Sequence, residues 1–311
     1  METVRYSYRL RPGVQAERAL LDEWGRCRWL WNEAVHQFRS GLKPTLAKLG
    51  KLLTEARKTN DWLRAGWQDG QQGVLRTFLA ALNASFKVKG RGRPRVKKRK
   101  GSLPSLEFSR NGFALVNGRL RLPKGVLIPV VWSRELPSEP TSVRVYQDSI
   151  GHWYASFVVR REVEPLPEVE GGIGIDWGVK ATATTTDPAY DLLHVGARKA
   201  AAKALAAAQR KMARRRRPKN QGQSKGYQRA KLEAAKVAKK AARRNTHTGR
   251  VWARRVVTDH QLIAIEDFRP KFLAKSTMAR KAADAAVSTI KRTLIEYAER
   301  AGRKVVLVQP A

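Results

Sequence analysis

At 311 residues with 42% hydrophobic content, the chain has room for two ordinary domains with packed cores. Its 63 Lys and Arg against 26 Asp and Glu give a net charge of +37, which opposes compaction and calls for a polyanionic partner, RNA or DNA. No run approaches the ~20 apolar residues of a bilayer span, the first residues lack a signal-peptide core, and the lone Cys27 excludes an internal disulfide or a zinc site with two cysteine ligands in this chain. His36, His152, His194, His247 and His260 are scattered without ligand spacing, and a reducing, cytoplasmic setting fits.

Thr3 to Leu10 alternates as a strand and is closed by Arg11-Pro12-Gly13. Helical periodicity follows over 15–40, about 44–57 and 71–86. Five of the nine tryptophans lie between 24 and 67, which suits the core of a small helical bundle better than base stacking. Next comes a run of nine basic residues without an acid: Lys87, Lys89, Arg91, Arg93, Arg95, Lys97, Lys98, Arg99 and Lys100. Its two glycines and one proline predict an extended, mobile segment, and its charge predicts phosphate contact.

From Ser105 to Glu162 the pattern turns to period two, with turns at Asn111-Gly112 and Asn117-Gly118. Short strands predict an antiparallel barrel or sandwich, completed by Thr3–Leu10 with the helices inserted. The acidic, proline-bearing stretch 162–170 reads as a linker. Beyond it Gly172-Ile173-Gly174-Ile175-Asp176 is an apolar strand with a carboxylate at its end, followed by strands at Ala181–Thr186 and Asp191–Val195. The region 197–255 is rich in alanine and base. From Arg210 to Arg244 it holds fifteen Lys and Arg against one acid, Glu233. Breaks at Pro218 and Gly222–Gly226 predict two helices in a hairpin with a nucleic-acid face: Arg210, Lys211, Arg214, Arg215, Arg216, Arg217, Lys236, Lys239, Lys240, Arg243 and Arg244. Leu262–Phe268 is a strand apolar on both faces, as inside a parallel sheet; helix 282–301 and strand 303–308 close the chain.

This order predicts a mixed α/β sheet. If their strands are neighbours, Asp176 and Glu266 meet at the carboxyl edge, where such folds bind ligands. Two adjacent carboxylates need a cation, and Mg²⁺ or Mn²⁺ suits oxygen ligands and phosphodiester hydrolysis.

Gly174-Ile175-Asp176-Trp177-Gly178-Val179-Lys180, the basic helical pair, Ala264-Ile265-Glu266-Asp267-Phe268 and Lys304–Ala311 follow in the order seen in the TnpB (OrfB) proteins of insertion sequences, relatives of the type V CRISPR effectors. Tyr8-Arg9-Leu10-Arg11-Pro12 and Cys27-Arg28-Trp29-Leu30-Trp31-Asn32 also resemble that family, so the likeness spans nearly the whole chain. The resemblance implies a β-barrel wedge domain over 1–165 with a helical recognition lobe inserted at about 14–100. It implies a RuvC nuclease domain of RNase H-like fold over 171–311, with the basic insertion at about 197–255. It further implies RNA-guided cleavage of double-stranded DNA, a guide RNA from the transposon end, and Asp176 and Glu266 as catalytic, metal-binding acids. Trp177 stands where a smaller residue is usual and is expected to pack away from Asp176. Family members usually continue into a four-cysteine zinc ribbon and a third catalytic Asp. The 311 residues contain neither, and Asp284, Glu296 and Glu299 do not match that motif. No zinc and an incomplete, impaired catalytic set in a truncated copy are therefore expected. The alternatives are a non-enzymatic, RNA-dependent DNA-binding protein and a plain basic structural binder; acids on apolar strands argue against the latter.

Overall fold

The computed structural model describes residues 1–99, 101–178, 181–194, 196–218, 221–267 and 286–309. The chain divides into two compact units, Met1–Glu162 and Val163–Ala311.

In the first unit, β1 (Glu2–Leu10) leads to α1 (Val14–Arg39), α2 (Leu46–Thr59), the single turn α3 (Asp61–Arg64) and α4 (Gln68–Lys87). Thr45 and Asn60 cap α2 and α3 by accepting from the backbone N–H groups of Lys48 and Leu63. Six strands follow: β2 (Ser105–Ser109), β3 (Ala114–Val116), β4 (Arg119–Leu122), β5 (Val126–Val131), β6 (Ser142–Gln147) and β7 (Trp153–Arg161). The Asn117-Gly118 turn has positive φ at both residues, as the two-residue β3–β4 hairpin demands.

These strands form one curled antiparallel sheet in the order β2-β6-β7-β1-β5-β4-β3, with β1 in the middle and the helices inserted after it. The sheet is a half-barrel and not the closed barrel expected, since β2 and β3 each have one strand neighbour. Helix α4 takes up the β2 edge instead. A Cβ at Gly73 would lie 2.2 Å from the Glu107 carbonyl oxygen, so only glycine permits that approach. One apolar core joins the concave sheet face to the helices, with Tyr8, Phe108 and Phe157 meeting Leu20, Leu30 and Phe78. Trp24, Trp31 and Trp67 are buried in it, whereas Trp29 and Trp62 are exposed.

The second unit is a mixed sheet, β11-β10-β8-β9. β8 (Gly172–Trp177), β10 (Leu262–Glu266) and β11 (Lys304–Val308) run parallel, and β9 (Ala183–Thr185) pairs antiparallel with β8. The third expected strand at 191–195 is reduced to a single bridge, Ala183 to Leu192. Asp191 diverts it: its carboxylate accepts from Thr185 N (2.7 Å) and Thr185 Oγ1 (3.0 Å), replacing a ladder with side-chain bonds. Val195 lies outside the described residues.

α5 (Ala197–Arg214) and α6 (Lys225–Asp259) make the basic hairpin, packed through small residues such as Ala208, Ala230 and Ala234. α6 is capped by Ser224, which accepts from Tyr227 N. α7 (Val287–Ala301) packs on α6 so closely that a Cβ at Gly249 would sit 2.5 Å from Ile290 Cγ1. Together α6 and α7 cover the sheet face that carries Ile173, Ile175, Trp177, Ile263 and Ile265. The expected linker belongs to this unit. Buried Arg303 donates to Val257 O (2.8 Å), Pro167 O (2.8 Å) and Gln261 Oε1 (2.7 Å), and Leu166 N donates to Ala301 O. No described helix is long and apolar enough to cross a membrane.

Candidate active site and nucleic-acid surfaces

Parallel pairing of β8 with β10 runs Gly172 to Leu262 through Ile175 to Ile265. One step further along both strands stand Asp176 and Glu266. Ile173, Ile175 and Trp177 occupy the buried side of β8, so the alternation turns Asp176 to the other side. Trp177 is 3% exposed and meets Trp252 edge-on, packing away from Asp176 as expected. Among the described residues its Nε1 has no hydrogen-bond partner.

Burial and the adjoining Asp176 carboxyl hold the Glu266 carboxyl above its ordinary range, while the Trp177 N–H and the Lys291 ammonium pull it down. Two neighbouring carboxyls at a strand end are suited to hold a divalent ion with oxygen preference. Among the described residues no third Asp, Glu, His or Cys joins them in a metal-binding group.

Lys291 and Asp267 were not singled out in the sequence. Lys291 Nζ, on α7, donates to Glu266 O (2.9 Å) and Asp267 Oδ1 (2.9 Å), and Asp267 N donates to Val308 O (2.7 Å). Asp267 is thus bound to a lysine on the helix side. No spacing rule could find Lys291, because the contact is tertiary.

The basic run begins at Lys87, the last residue of α4, and continues without regular structure. Lys87, Lys89, Arg91, Arg93, Arg95, Lys98 and Arg99 are exposed; Lys100 lies outside the described residues. The segment is not free along its length but is strapped to α1. Trp31 Nε1 donates to Arg95 O (2.9 Å), and the Asn32 amide both donates to Lys97 O (3.2 Å) and accepts from Lys97 N (2.8 Å). Lys97 turns inward, its Nζ 3.5 Å from the Trp31 ring centroid and 5.1 Å from that of Trp24. Burial lowers its pKa to about 8. Arg93 lies over Phe38 and Phe86.

On the hairpin, Arg210, Arg214, Arg215, Arg216, Arg217, Lys236, Lys240, Arg243 and Arg244 are exposed. Lys211 and Lys239 are half-buried, and Lys211 pairs with Glu233 at 3.2 Å. Arg215 and Arg217 also reach back to the Gly226 and Gly222 carbonyls and so close the turn.

A family model described as "Probable transposase" (OrfB, IS605 type) matches residues 156–277, which include both acids. A "Putative RNA-guided DNA endonuclease" of Streptomyces pristinaespiralis is 29% identical over 324 residues, covering 97% of this chain and 76% of that one. "Putative RNA-guided DNA endonuclease InsQ" of Escherichia coli K12 is 28% identical, covering 87% and 67%. Among solved structures, a chain of the Cas12f1-sgRNA-target DNA complex aligns over 99% of this chain and 89% of its own, at a TM-score of 0.46 and 11% identity. Residues 156–277, which hold both acid-bearing strands, thus match the OrfB family of IS605-type transposases, and over nearly its whole length the chain is similar to RNA-guided endonucleases named in that lineage.

Proposed function

We propose that the chain is a metal-dependent, RNA-guided DNA endonuclease built on Asp176 and Glu266. The observation that carries this reading is the meeting of two carboxyls at the carboxyl ends of neighbouring parallel strands, on a chain of net charge +37. In this reading the second unit is a RuvC-type nuclease of RNase H-like fold and the first a wedge with its recognition lobe. The relatives' names and the two basic tracts support RNA as guide and DNA as target.

Asp176 and Glu266 would hold Mg²⁺ or Mn²⁺ through their carboxylate oxygens; such an ion supplies Lewis-acid activation of water and charge neutralisation at the scissile phosphate. The exposed arginines of the hairpin and the basic strap would hold nucleic acid by its phosphates. Lys291 secures the strand end that carries Glu266. Two acids suffice for one weakly held ion, whereas a fixed pair of ions needs a further oxygen ligand from outside the described residues. With Asp176 and Glu266 as its only acids among the described residues, the site is expected to serve a protein that binds RNA and DNA but cuts guided DNA slowly.

The test is to purify the chain with its co-expressed transposon-end transcript, sequence the bound RNA, and assay a matching plasmid with Mg²⁺. RNA that copurifies, with cutting lost in Asp176→Ala, supports the proposal. A nucleic-acid-free protein, or cutting that survives Asp176→Ala, contradicts it. A chain that binds guide and target yet never cuts, even when a relative's C-terminal region is appended after Gln309, would favour the non-enzymatic binding protein.

A further inference from the structure

Helix α1 buries one side in the core of the first unit through Leu20, Trp24, Cys27, Leu30, Trp31 and Ala34. Its opposite side is not polar throughout. Leu21, Gly25 and Trp29 follow at four-residue steps and so form one stripe along the helix. Leu21 is 43% exposed and Trp29 38%. Gly25, between them, leaves space that the Trp62 ring of α3 uses: a Cβ at Gly25 would lie 3.6 Å from Trp62 Cζ2. Arg26 fixes that ring, since its Nε donates to Trp62 O (2.7 Å) and its guanidinium lies 5.6 Å from the ring centroid. Trp62 is still 43% exposed. Beside Trp29 a groove opens between α1 and α2, with Leu42, Leu52 and Ala56 in its wall. Two exposed indoles and a leucine gathered around one glycine make an apolar patch of the kind that marks an interaction surface.

The charges around the patch differ from those of the basic tracts. Glu33 and Glu55 line the groove together with Lys48 and Lys51, and Asp61, next to Trp62, pairs with Arg64. Asp22 flanks the stripe on one side and Arg28 on the other, and among the described residues neither has an ion-pair partner. A polyanion would meet several carboxylates here. The pattern suits a second copy of the same surface. When two identical helices cross antiparallel about a two-fold axis, residues equally far before and after the axis face each other. With the axis at Gly25, Leu21 faces the partner's Trp29 and Asp22 faces the partner's Arg28. One axis therefore sets apolar against apolar and acid against base, and symmetry makes each contact twice.

We propose that the outer face of α1 joins two copies of this chain in an antiparallel two-fold pair centred on Gly25, with Leu21 inserted beside the partner's Trp29 and Asp22 paired with the partner's Arg28. A second copy is the occupant because one patch supplies both halves of every contact. The inference stands apart from the acidic pair and from any guide or target. It also fixes the sign of the salt effect. Two chains of net charge +37 repel at long range, and salt screens that repulsion, whereas contacts to nucleic acid weaken as salt rises.

The test is sedimentation velocity on the full chain, stripped of nucleic acid by nuclease and a high-salt wash, over a concentration series at low and at moderate salt. The parent should show a reversible monomer–dimer equilibrium that strengthens from low to moderate salt. Asp22→Arg and Arg28→Asp should each weaken it at least about tenfold, because each sets two like-charged pairs about the axis. Trp29→Ala should weaken it by a similar factor, as loss of an aromatic anchor does. All three positions lie outside the core, and circular dichroism should show the parent's helix content in each variant. Mixing the Asp22→Arg chain with the Arg28→Asp chain should restore a mixed dimer to within about twofold of the parent's affinity, since both contacts then join opposite charges. A parent that stays monomeric at every concentration, a dimer indifferent to the single substitutions, or a mixture that associates no better than its components would each overturn the proposal. So would association that weakens with salt and vanishes with nuclease, which would assign it to bridging nucleic acid.

Discussion

Arg303 ties together the linker, the end of α6 and the start of β11 at the base of the second unit. It is 6% exposed, and among the described residues its guanidinium has no carboxylate as a hydrogen-bond partner. It spans the last-turn carbonyls of α6 at Val257 and Thr258, the linker carbonyl of Pro167 and the amide of Gln261. A cation there meets the negative end of the α6 dipole and satisfies carbonyls that the helix leaves over. Three of the bonds are 2.7–2.8 Å long. A hydrogen bond to a charged group contributes about 1.5–3 kcal/mol, but the three share one guanidinium and are not additive. Arg303→Met should therefore destabilise the unit by about 3–5 kcal/mol, since it leaves several buried carbonyl acceptors without their shared donor. For a unit of this size that is a fall of roughly 6–20 °C in its Tm. Arg303→Lys, with one ammonium in place of the planar fork, should recover at most about half. Differential scanning calorimetry of the full chain reads both units; the transition of Val163–Ala311 should move and that of Met1–Glu162 should not. A loss below about 1 kcal/mol in Arg303→Met would refute the view that this side chain ties the linker and the α6 end together.

Lys97 gives a second test. Its pKa is lowered to about 8, so between there and the ordinary lysine value the native state binds fewer protons than the unfolded chain, and stability should rise with pH through that window. Lys97→Met should flatten this rise in denaturant titrations and stabilise the first unit at neutral pH by about 1–2 kcal/mol, the burial cost less the lost attraction of two indole faces. Glu266 has the opposite sign. Its raised pKa means that the native state holds the extra proton, so stability should fall as pH rises from 4.5 through the raised value, and Asp176→Asn should shrink that fall in a thermal-melt series. On the hairpin, Arg214→Ser with Arg216→Ser should lower the slope of log affinity against log salt by about 2 for duplex DNA, measured by anisotropy. Arg215 and Arg217 are left intact in that variant because they close the turn.

Features that reside in local spacing were legible in the sequence. The Asn117-Gly118 hairpin, the helix break between Arg214 and Lys225, and the doubly apolar strand at Leu262 all formed where their chemistry demands. The neighbouring of β8 and β10, on which the meeting of Asp176 and Glu266 depends, stayed a condition in the sequence and is supplied by the parallel register of the two strands. What stayed hidden depends on contacts distant in sequence. A run of nine basic residues looks uniformly solvated until Asn32 clamps Lys97 against α1. A barrel is indistinguishable from a half-barrel until α4 is seen to occupy the β2 edge through Gly73. The strand expected at Asp191 lost its ladder to its own side chain.

Divalent-ion binding to RNA-free protein bears most directly on the acidic pair. Mn²⁺ titration followed by electron paramagnetic resonance should show a bound ion in the parent, and at least tenfold weaker binding in Asp176→Asn and in Glu266→Gln, with both variants folded; a tenfold change is about 1.4 kcal/mol. Mn²⁺ bound as tightly by both variants as by the parent would show that Asp176 and Glu266 do not form the metal centre.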